Sequence, residues 1–371
     1  MLDAATRFPA DSHPFPKALR QAVDEFFVRT GTSRYADWRL WMKAVLLVSG
    51  LLTIWYVLVT VRLPGAVALA FATVLGCLVA AVGMAVGHDA LHGSFSARPW
   101  INWLVGCSFD LIGANSYIWR YSHNRTHHLF TNVEGVDLDL DLAPGLAVSP
   151  RAPRVAANRW QHLYAPLLYS LTTIHWLFAK DIRYYTLRRM GSLRKVRHPW
   201  WAWAWLIGGK VFALSTHLVI PLMVAPYPWS QVLIGFLAMH VVAGLLMTSV
   251  FQLAHQAAHA QFPVADGGTL PWSFFVHQLH TTANFACTNR ALTWFVGGLN
   301  FQVEHHLFPK VASVHYPALR PIVREVAKRY GLPYHEYPSL TAALRAHFTW
   351  LREQARQGWT PMLSVASRNG P

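Results

Sequence analysis

Three histidine strings are the part of this sequence best suited to chemistry: His88-Asp89-Ala90-Leu91-His92, His123-Asn124-Arg125-Thr126-His127-His128 and Gln302-Val303-Glu304-His305-His306. On a helix His88 and His92 share a face, as do His123 and His127, with His128 about 100° further round. His305 and His306 are adjacent, Gln302 lies one turn earlier, and His255 closes a long apolar run. Imidazole is the common ligand of zinc, copper, iron and nickel. One ion takes a handful of ligands, so the eight residues His88, His92, His123, His127, His128, His255, His305 and His306 predict two ions. Structural zinc sites usually include cysteine, and Cys77, Cys107 and Cys287 stand beside none of the strings. Two iron ions with positions open to dioxygen fit better. Asp89, Asp137, Asp139, Asp141 and Glu304 are candidates to accept the outer ring N–H groups and fix the tautomers.

A lone HxxxH pair is more often a surface or packing feature than a ligand pair. The case here rests on three strings and His255 falling at one membrane depth. His259, His277 and His280 stay open as further ligands. His217 and His240 lie inside apolar runs, where function and interhelical hydrogen bonding explain them equally well. His13, His162, His198, His315, His335 and His347 read as ordinary surface residues.

The elements that position these residues read as membrane helices. Of 371 residues 53% are hydrophobic and 13% charged, against roughly 25% charged in soluble domains. Runs over 42–61, 65–87, 206–225 and 229–253 are each long enough to cross ~30 Å of hydrocarbon. The links Arg62-Leu63-Pro64 and Pro226-Tyr227-Pro228 make two hairpins of them. The stretches 101–118 and 163–178 carry polar residues and read as interfacial or half-buried helices. Lys and Arg number 32 against 17 Asp and Glu, giving a net charge of +15. The basic residues Arg34, Arg39, Lys43, Arg183, Arg188, Arg189, Arg194, Lys195 and Arg197 precede the first and third spans, which places both termini and the segment 88–205 in the cytoplasm. The greasy composition argues against a nucleic-acid binder, and no secretory signal opens the chain.

The expected fold is therefore an all-α integral membrane protein, with four transmembrane helices in two hairpins and a cytoplasmic helical cap holding the metal site. Its parts are an N-terminal segment 1–41, hairpins 42–87 and 206–254, a cytoplasmic region 88–205 with the first two strings, and a helical region 255–371 with the third. The expected location is a bacterial inner membrane, multi-pass, with the site on the cytoplasmic face. Residues 16–30 form an amphipathic helix that either lies on the bilayer or packs on the cytoplasmic domain. Amphipathic helices are also expected over 316–330 and 339–356.

Further strings extend the pattern. Trp119-Arg120-Tyr121-Ser122 leads into His123, and Thr131-Asn132 stands before Asp137. Phe251-Gln252-Leu253-Ala254-His255, Thr281-Thr282-Ala283-Asn284-Phe285-Ala286 and Asn300-Phe301-Gln302-Val303-Glu304-His305-His306-Leu307-Phe308-Pro309 follow. With these the chain resembles, over nearly its whole length, the membrane fatty-acid desaturase family. It is most similar to cyanobacterial front-end (Δ6-type) acyl-lipid and linoleoyl-CoA-type members, where Gln replaces the first histidine of the last string, here at Gln302. The resemblance implies a di-iron centre ligated by the eight histidines, with Gln302 a ninth, weaker or water-mediated partner. It implies that dioxygen is reduced there and that two hydrogens leave adjacent methylenes of an acyl chain, held in the membrane lipid or on a carrier, to give a cis double bond. A narrow apolar tunnel then sets which carbons face iron. Asn132, Asp137, Trp119 and Arg120 are expected at the headgroup entrance, although Trp119 serves equally as an interfacial anchor.

Many front-end members carry a fused cytochrome b5 with a His-Pro-Gly-Gly motif. The motif is absent here, so an external donor such as ferredoxin, rubredoxin or a separate cytochrome is expected, and a basic face suits an acidic donor or acyl carrier. Relatives often carry other residues at His280, which keeps an altered site or substrate open. Hydroxylation, or conversion of an alkene to an alkyne, is the alternative on the same scaffold. A histidine-rich metal transporter is the alternative from another class; it needs ligands near the bilayer midplane, whereas the three strings lie at or beyond span ends.

Overall fold

The computed structural model describes residues 6–356 apart from 142–144, 192 and 195, with the side chains of 141 and 194 also excluded. The described chain is mostly helical. Helix α1 spans Phe15–Thr30. Four helices are long and apolar enough to cross a membrane: α2 (Trp38–Thr60), α3 (Gly65–His92), α4 (Trp200–Val224) and α5 (Trp229–His255). Two further helices, α6 (Tyr316–Arg329) and α7 (Leu340–Arg356), close the described chain.

Local chemistry accounts for these boundaries. Asp37 caps α2, its Oδ1 accepting from the backbone of Arg39 (3.0 Å) and Leu40 (3.2 Å), the role for which Asp is favoured there. This moves the start of the helix four residues ahead of the expected Met42. Likewise α4 begins at Trp200, directly after Pro199, rather than at Leu206. The stretches 101–118 and 163–178 are broken into shorter helical pieces, and neither is among the four long helices.

Apolar side chains of α2, α3 and α5, including Leu47, Leu51, Leu75, Val79, Val82, Met239 and Ala243, form one core. Gly76 lets α3 and α5 approach, since a Cβ there would sit 2.5 Å from the Met239 carbonyl oxygen; small residues serve this purpose in membrane bundles. In α4 only 11% of the apolar window is buried, and Ile207, Val211 and Met223 face outward. An apolar exterior of that extent calls for hydrocarbon around it, so the four helices fit membrane association. The turns at 61–64 and 225–228 touch: the Tyr227 hydroxyl accepts from Leu63 N (3.0 Å) and donates to Val61 O (2.8 Å). His88, His92 and His255 stand at the opposite ends of α3 and α5.

Helix α1 packs on protein. Phe15, Leu19, Val23 and Phe27 are buried in one cluster with Leu319, Val323 and Val326 of α6. Two small strand pairs complete the described structure, an antiparallel one between Arg189–Met190 and Leu193–Arg194 and a parallel one between Asn284–Phe285 and Glu336–Tyr337.

Candidate metal centre

All eight histidines are buried and converge. In α3 a wide-turned segment, Gly83–Gly87, precedes regular helix at His88–His92, and the His88 and His92 rings lie 4.6 Å apart. The second string sits on another wide-turned segment, Arg120–His127, whose ladder runs from His128 N to His123 O (2.9 Å). Such π-type turns recur at functional sites. Here the wider turn has a specific effect: positions four and five residues after His123 both return to its side. The wider turn narrows the offset between His127 and His128 and brings both rings to His123, with centroids 5.0 and 4.7 Å from it, so that His128 Nε2 lies 3.1 Å from His123 Nε2. The third string forms the short helix Gln302–Leu307.

The ring nitrogens fall into sets tight enough to hold a metal ion. His88, His92, His123 and His305 make one, His127, His255 and His306 a second, and His128 a third with His305 and His306; His123, His127 and Asp139 also meet. Outer nitrogens are held from behind. Asp139 accepts from His123 Nδ1 (2.8 Å) and Asp137 from His127 Nδ1 (3.0 Å). The Thr281 carbonyl accepts from His255 Nδ1 (3.2 Å) and Gln278 Oε1 from His306 Nδ1 (3.0 Å). The Tyr316 hydroxyl meets His305 Nδ1 at 3.1 Å. This is how proteins fix the tautomer of a metal-binding imidazole. His92 Nε2, His305 Nε2 and His306 Nε2 are buried without a protein partner among the described residues, the last two across the ring from a held Nδ1. Burial first, and then neighbouring imidazoles, holds His123, His128, His305 and His306 well below the ordinary imidazole value. Burial pulls His127 the same way, but Asp137 outweighs it and the net shift is upward. Neutral rings with inward lone pairs are the ligand form of histidine. The donor set, all imidazole with one carboxylate at its edge, therefore fits a bound metal.

Several expected roles change. Asp137 is 4% exposed and engaged by His127, by Asn132 N (2.9 Å) and by Asp139 N (2.9 Å), so it orients a ring and offers nothing to a headgroup. Asn132, at φ +60°, donates from Nδ2 to the His255 carbonyl (2.9 Å) and braces the end of α5. Trp119 stacks on His123 with ring centroids 4.1 Å apart. Its indole therefore walls the metal centre, which leaves the anchor role aside. Gln302 lines the same cavity as His88 and His305. His280 is outside the converging sets; its ring stacks on Trp272 at 4.1 Å. His277 and His259 are also outside: His277 Nε2 meets the Thr131 carbonyl (3.0 Å) and His259 Nδ1 the Tyr337 hydroxyl (3.0 Å). His240 Nδ1 meets Thr173 (3.1 Å) between helices. His347 is buried, between Tyr169 and the Gln256 carbonyl, which corrects its reading as a surface residue.

Two acids leave the expected set of tautomer-fixing groups. Glu304 accepts from Asn284 Nδ2 and the Tyr334 hydroxyl, both at 2.8 Å, and burial pushes its carboxyl up to about 7. Asp89 accepts from Ser313 N (3.0 Å) and Oγ (2.7 Å), with His88 Nδ1 at 3.9 Å. The Asp141 side chain lies outside the described residues. Sequence reasoning missed Gln278, Tyr316 and the buried Lys180. Only Gln278 had a signal, its place between the open candidates His277 and His280.

The comparisons agree with this chemistry. The sequence model of the family described as "Fatty acid desaturase" matches residues 62–338. The "sn-1 linoleoyl-lipid 6-desaturase" of Synechocystis sp. is 33% identical over 352 residues, covering 92% of this chain and 96% of that protein. A protein of the same description from Arthrospira platensis is 30% identical, covering 92% of each. The "Acyl-lipid (8-3)-desaturase" of Physcomitrium patens is 30% identical, covering 93% of this chain and 72% of that protein. With buried imidazoles able to hold metal at the end of an apolar helix bundle and the family's sequence over most of its length, the chain belongs to the fatty acid desaturase family, whose members are oxidoreductases.

Proposed function

We propose that the chain introduces a cis double bond into an acyl chain of a membrane lipid, using two iron ions held by the histidine sets. One ion lies among His88, His92, His123 and His305, the other among His127, His255 and His306, with His128 between them and Gln302 beside. The observation that carries this reading is the opposition at each ring of an outer nitrogen held by an acceptor and an inner nitrogen turned to the centre, seen at His305 and His306. Bound iron supplies dioxygen reduction and cleavage of unactivated C–H bonds, which acid–base side chains cannot perform.

The protein's own part is positioning. Asp137, Asp139, Gln278 and Tyr316 orient the rings. Trp119, Leu140, Trp176 and Phe251 line the cavity beside them and keep water from an acyl chain laid there. The lipid substrate is supported by the relatives named for linoleoyl-lipid. The four long helices are read as two hairpins in a bacterial inner membrane, with a cytoplasmic helical cap. The charge bias of the connecting segments supports that orientation. Electrons come from an external ferredoxin, rubredoxin or cytochrome.

The test is expression in a bacterium that makes only saturated lipids, together with a ferredoxin and its reductase. Expected are new cis double bonds in lipid acyl chains, located by mass spectrometry, and two iron ions on the purified protein. Iron-free protein, or hydroxylated chains in place of alkenes, overturns the proposal.

A further inference from the structure

Two lysines, Lys180 and Lys210, are buried, and they differ. Lys210 is fully engaged: its Nζ donates to the carbonyls of Gly113 (2.8 Å) and Trp176 (2.9 Å) and to Asp181 Oδ2 (2.5 Å). Lys180 is 5% exposed, yet its ammonium rests only over ring faces, 4.6 Å from the Trp176 centroid and 5.2 Å from that of Tyr184. Among the described residues it makes no ion pair. The neighbouring Asp139 acts on its charge from a distance but binds His123 (2.8 Å). An ammonium contacted only by aromatic faces retains donor capacity, and burying a charge without hydrogen bonds is costly.

Lys180 lines the same cavity as His88, His123, His305 and Trp119. So do Gln252 and Gln256, at the end of α5, whose side-chain oxygens are buried without partners. The lining also holds the carboxylates of Asp137 and Asp139, both engaged by histidines, beside the apolar Leu140, Trp176 and Phe251. Lys180 brings N–H donors to this wall, and a donor there meets the acceptor of a ligand. An acyl chain has one polar place, its carbonyl end.

On the reading that an acyl chain occupies this cavity, we propose that Lys180 donates to the acyl carbonyl oxygen and thereby sets the position of the double bond by counting carbons from that end. A fixed carbonyl and a fixed metal centre leave one pair of methylenes between them in reach. Without the anchor the chain slides, and the oxidant meets several pairs.

The test uses full-length Lys180→Met and Lys180→Arg, expressed as above, with double bonds located in every product. Wild type is expected to give one position, Lys180→Arg one position, and Lys180→Met a mixture of neighbouring positions at reduced yield. A single unchanged position from Lys180→Met, at any yield, overturns the proposal, because a structural lysine changes amount and leaves register alone. Should Lys180→Met fail to accumulate, Lys180→Gln, which removes the charge and keeps a polar side chain, decides by the same readout. Wild type without any double bond is a failure of the desaturase reading instead. Binding gives a readout independent of turnover. Quenching of tryptophan fluorescence with stearate, methyl stearate and octadecane should show at least tenfold preference for one or both carbonyl compounds, lost in Lys180→Met. Stearate alone identifies a free carboxylate and methyl stearate alone an ester. Equal binding of octadecane to wild type overturns the anchor.

Discussion

Replacing Gln278 with Leu tests whether the groups behind the imidazoles matter as much as the imidazoles. Gln278 is wholly buried and ties two histidine strings together. Its Oε1 accepts from His306 Nδ1 (3.0 Å) and from Thr131 Oγ1 (3.1 Å), while its Nε2 donates to the His128 carbonyl (2.9 Å). Thr131 keeps an alternative acceptor, the His127 carbonyl at 2.8 Å. The His128 carbonyl is then left unmet, at roughly 1–3 kcal/mol, and the His306 ring N–H keeps the Thr131 hydroxyl at 3.2 Å as its one remaining acceptor. Part of the loss falls on the metal, because the His306 tautomer is then held by one longer bond in place of two. Loss of such outer partners costs about 10–100-fold in affinity or activity, or ~1.4–2.7 kcal/mol. Gln278→Glu, which keeps the acceptor and loses the donor, should fall between. The assay is iron retained by purified protein against graded chelator, beside the yield of unsaturated lipid. Gln278→Leu with wild-type iron retention and wild-type yield would refute the reasoning.

Other substitutions separate ligands from neighbours. His305→Ala should lose iron and abolish product, whereas His280→Ala, removing a ring stacked on Trp272, should hold yield within about twofold, as surface changes do. Glu304→Gln should keep its iron and lose about 1–3 kcal/mol of stability, since an amide cannot accept from both Asn284 and Tyr334, read as a lower melting temperature in detergent. Gly297→Ala should destabilise by roughly 2–4 kcal/mol: φ is +64°, and a Cβ would meet Ala85 Cα at 2.4 Å in the turn before His88. Unchanged melting would show that this contact relaxes freely.

The histidine strings and the four apolar helices were legible because both are local patterns, read from spacing and run length. What lay between them was less so. Acids were assigned to imidazoles by adjacency, which worked for Asp137 and Asp139, on the loop that folds back over the second string. It failed for Glu304 and Asp89, because neighbours on a helix point to different sides. Glu304 turns to Asn284 and Tyr334, and Asp89 turns to Ser313. That His128 joins His127 beside His123 follows from a turn wider than 3.6 residues, which residue spacing does not reveal. Gln278 meets His306 across 28 residues and Tyr316 meets His305 across 11, each from a separate helix, and Lys180 stands on an element apart from every histidine string, so no helical spacing marks them.

The cost of burying the site gives a reason to expect metal and folding to be coupled. An unmet buried polar group costs about 1–3 kcal/mol, and the Nε2 atoms of His92, His305 and His306 have no protein partner among the described residues. Together these are a large share of the roughly 5–15 kcal/mol that holds a typical protein folded. A cation that accepts those lone pairs removes the cost, and an ion present at a thousand times its dissociation constant adds about 4 kcal/mol. Removing it should therefore loosen the structure where the penalty sits. Hydrogen exchange of chelated protein should quicken over 88–92, 123–132 and 302–308. Exchange over 65–72, at the end of α3 away from His88 and His92, should hold. Uniformly faster exchange would mean that the bundle melts as one unit, and no change at the strings would mean that protein contacts alone hold the rings together.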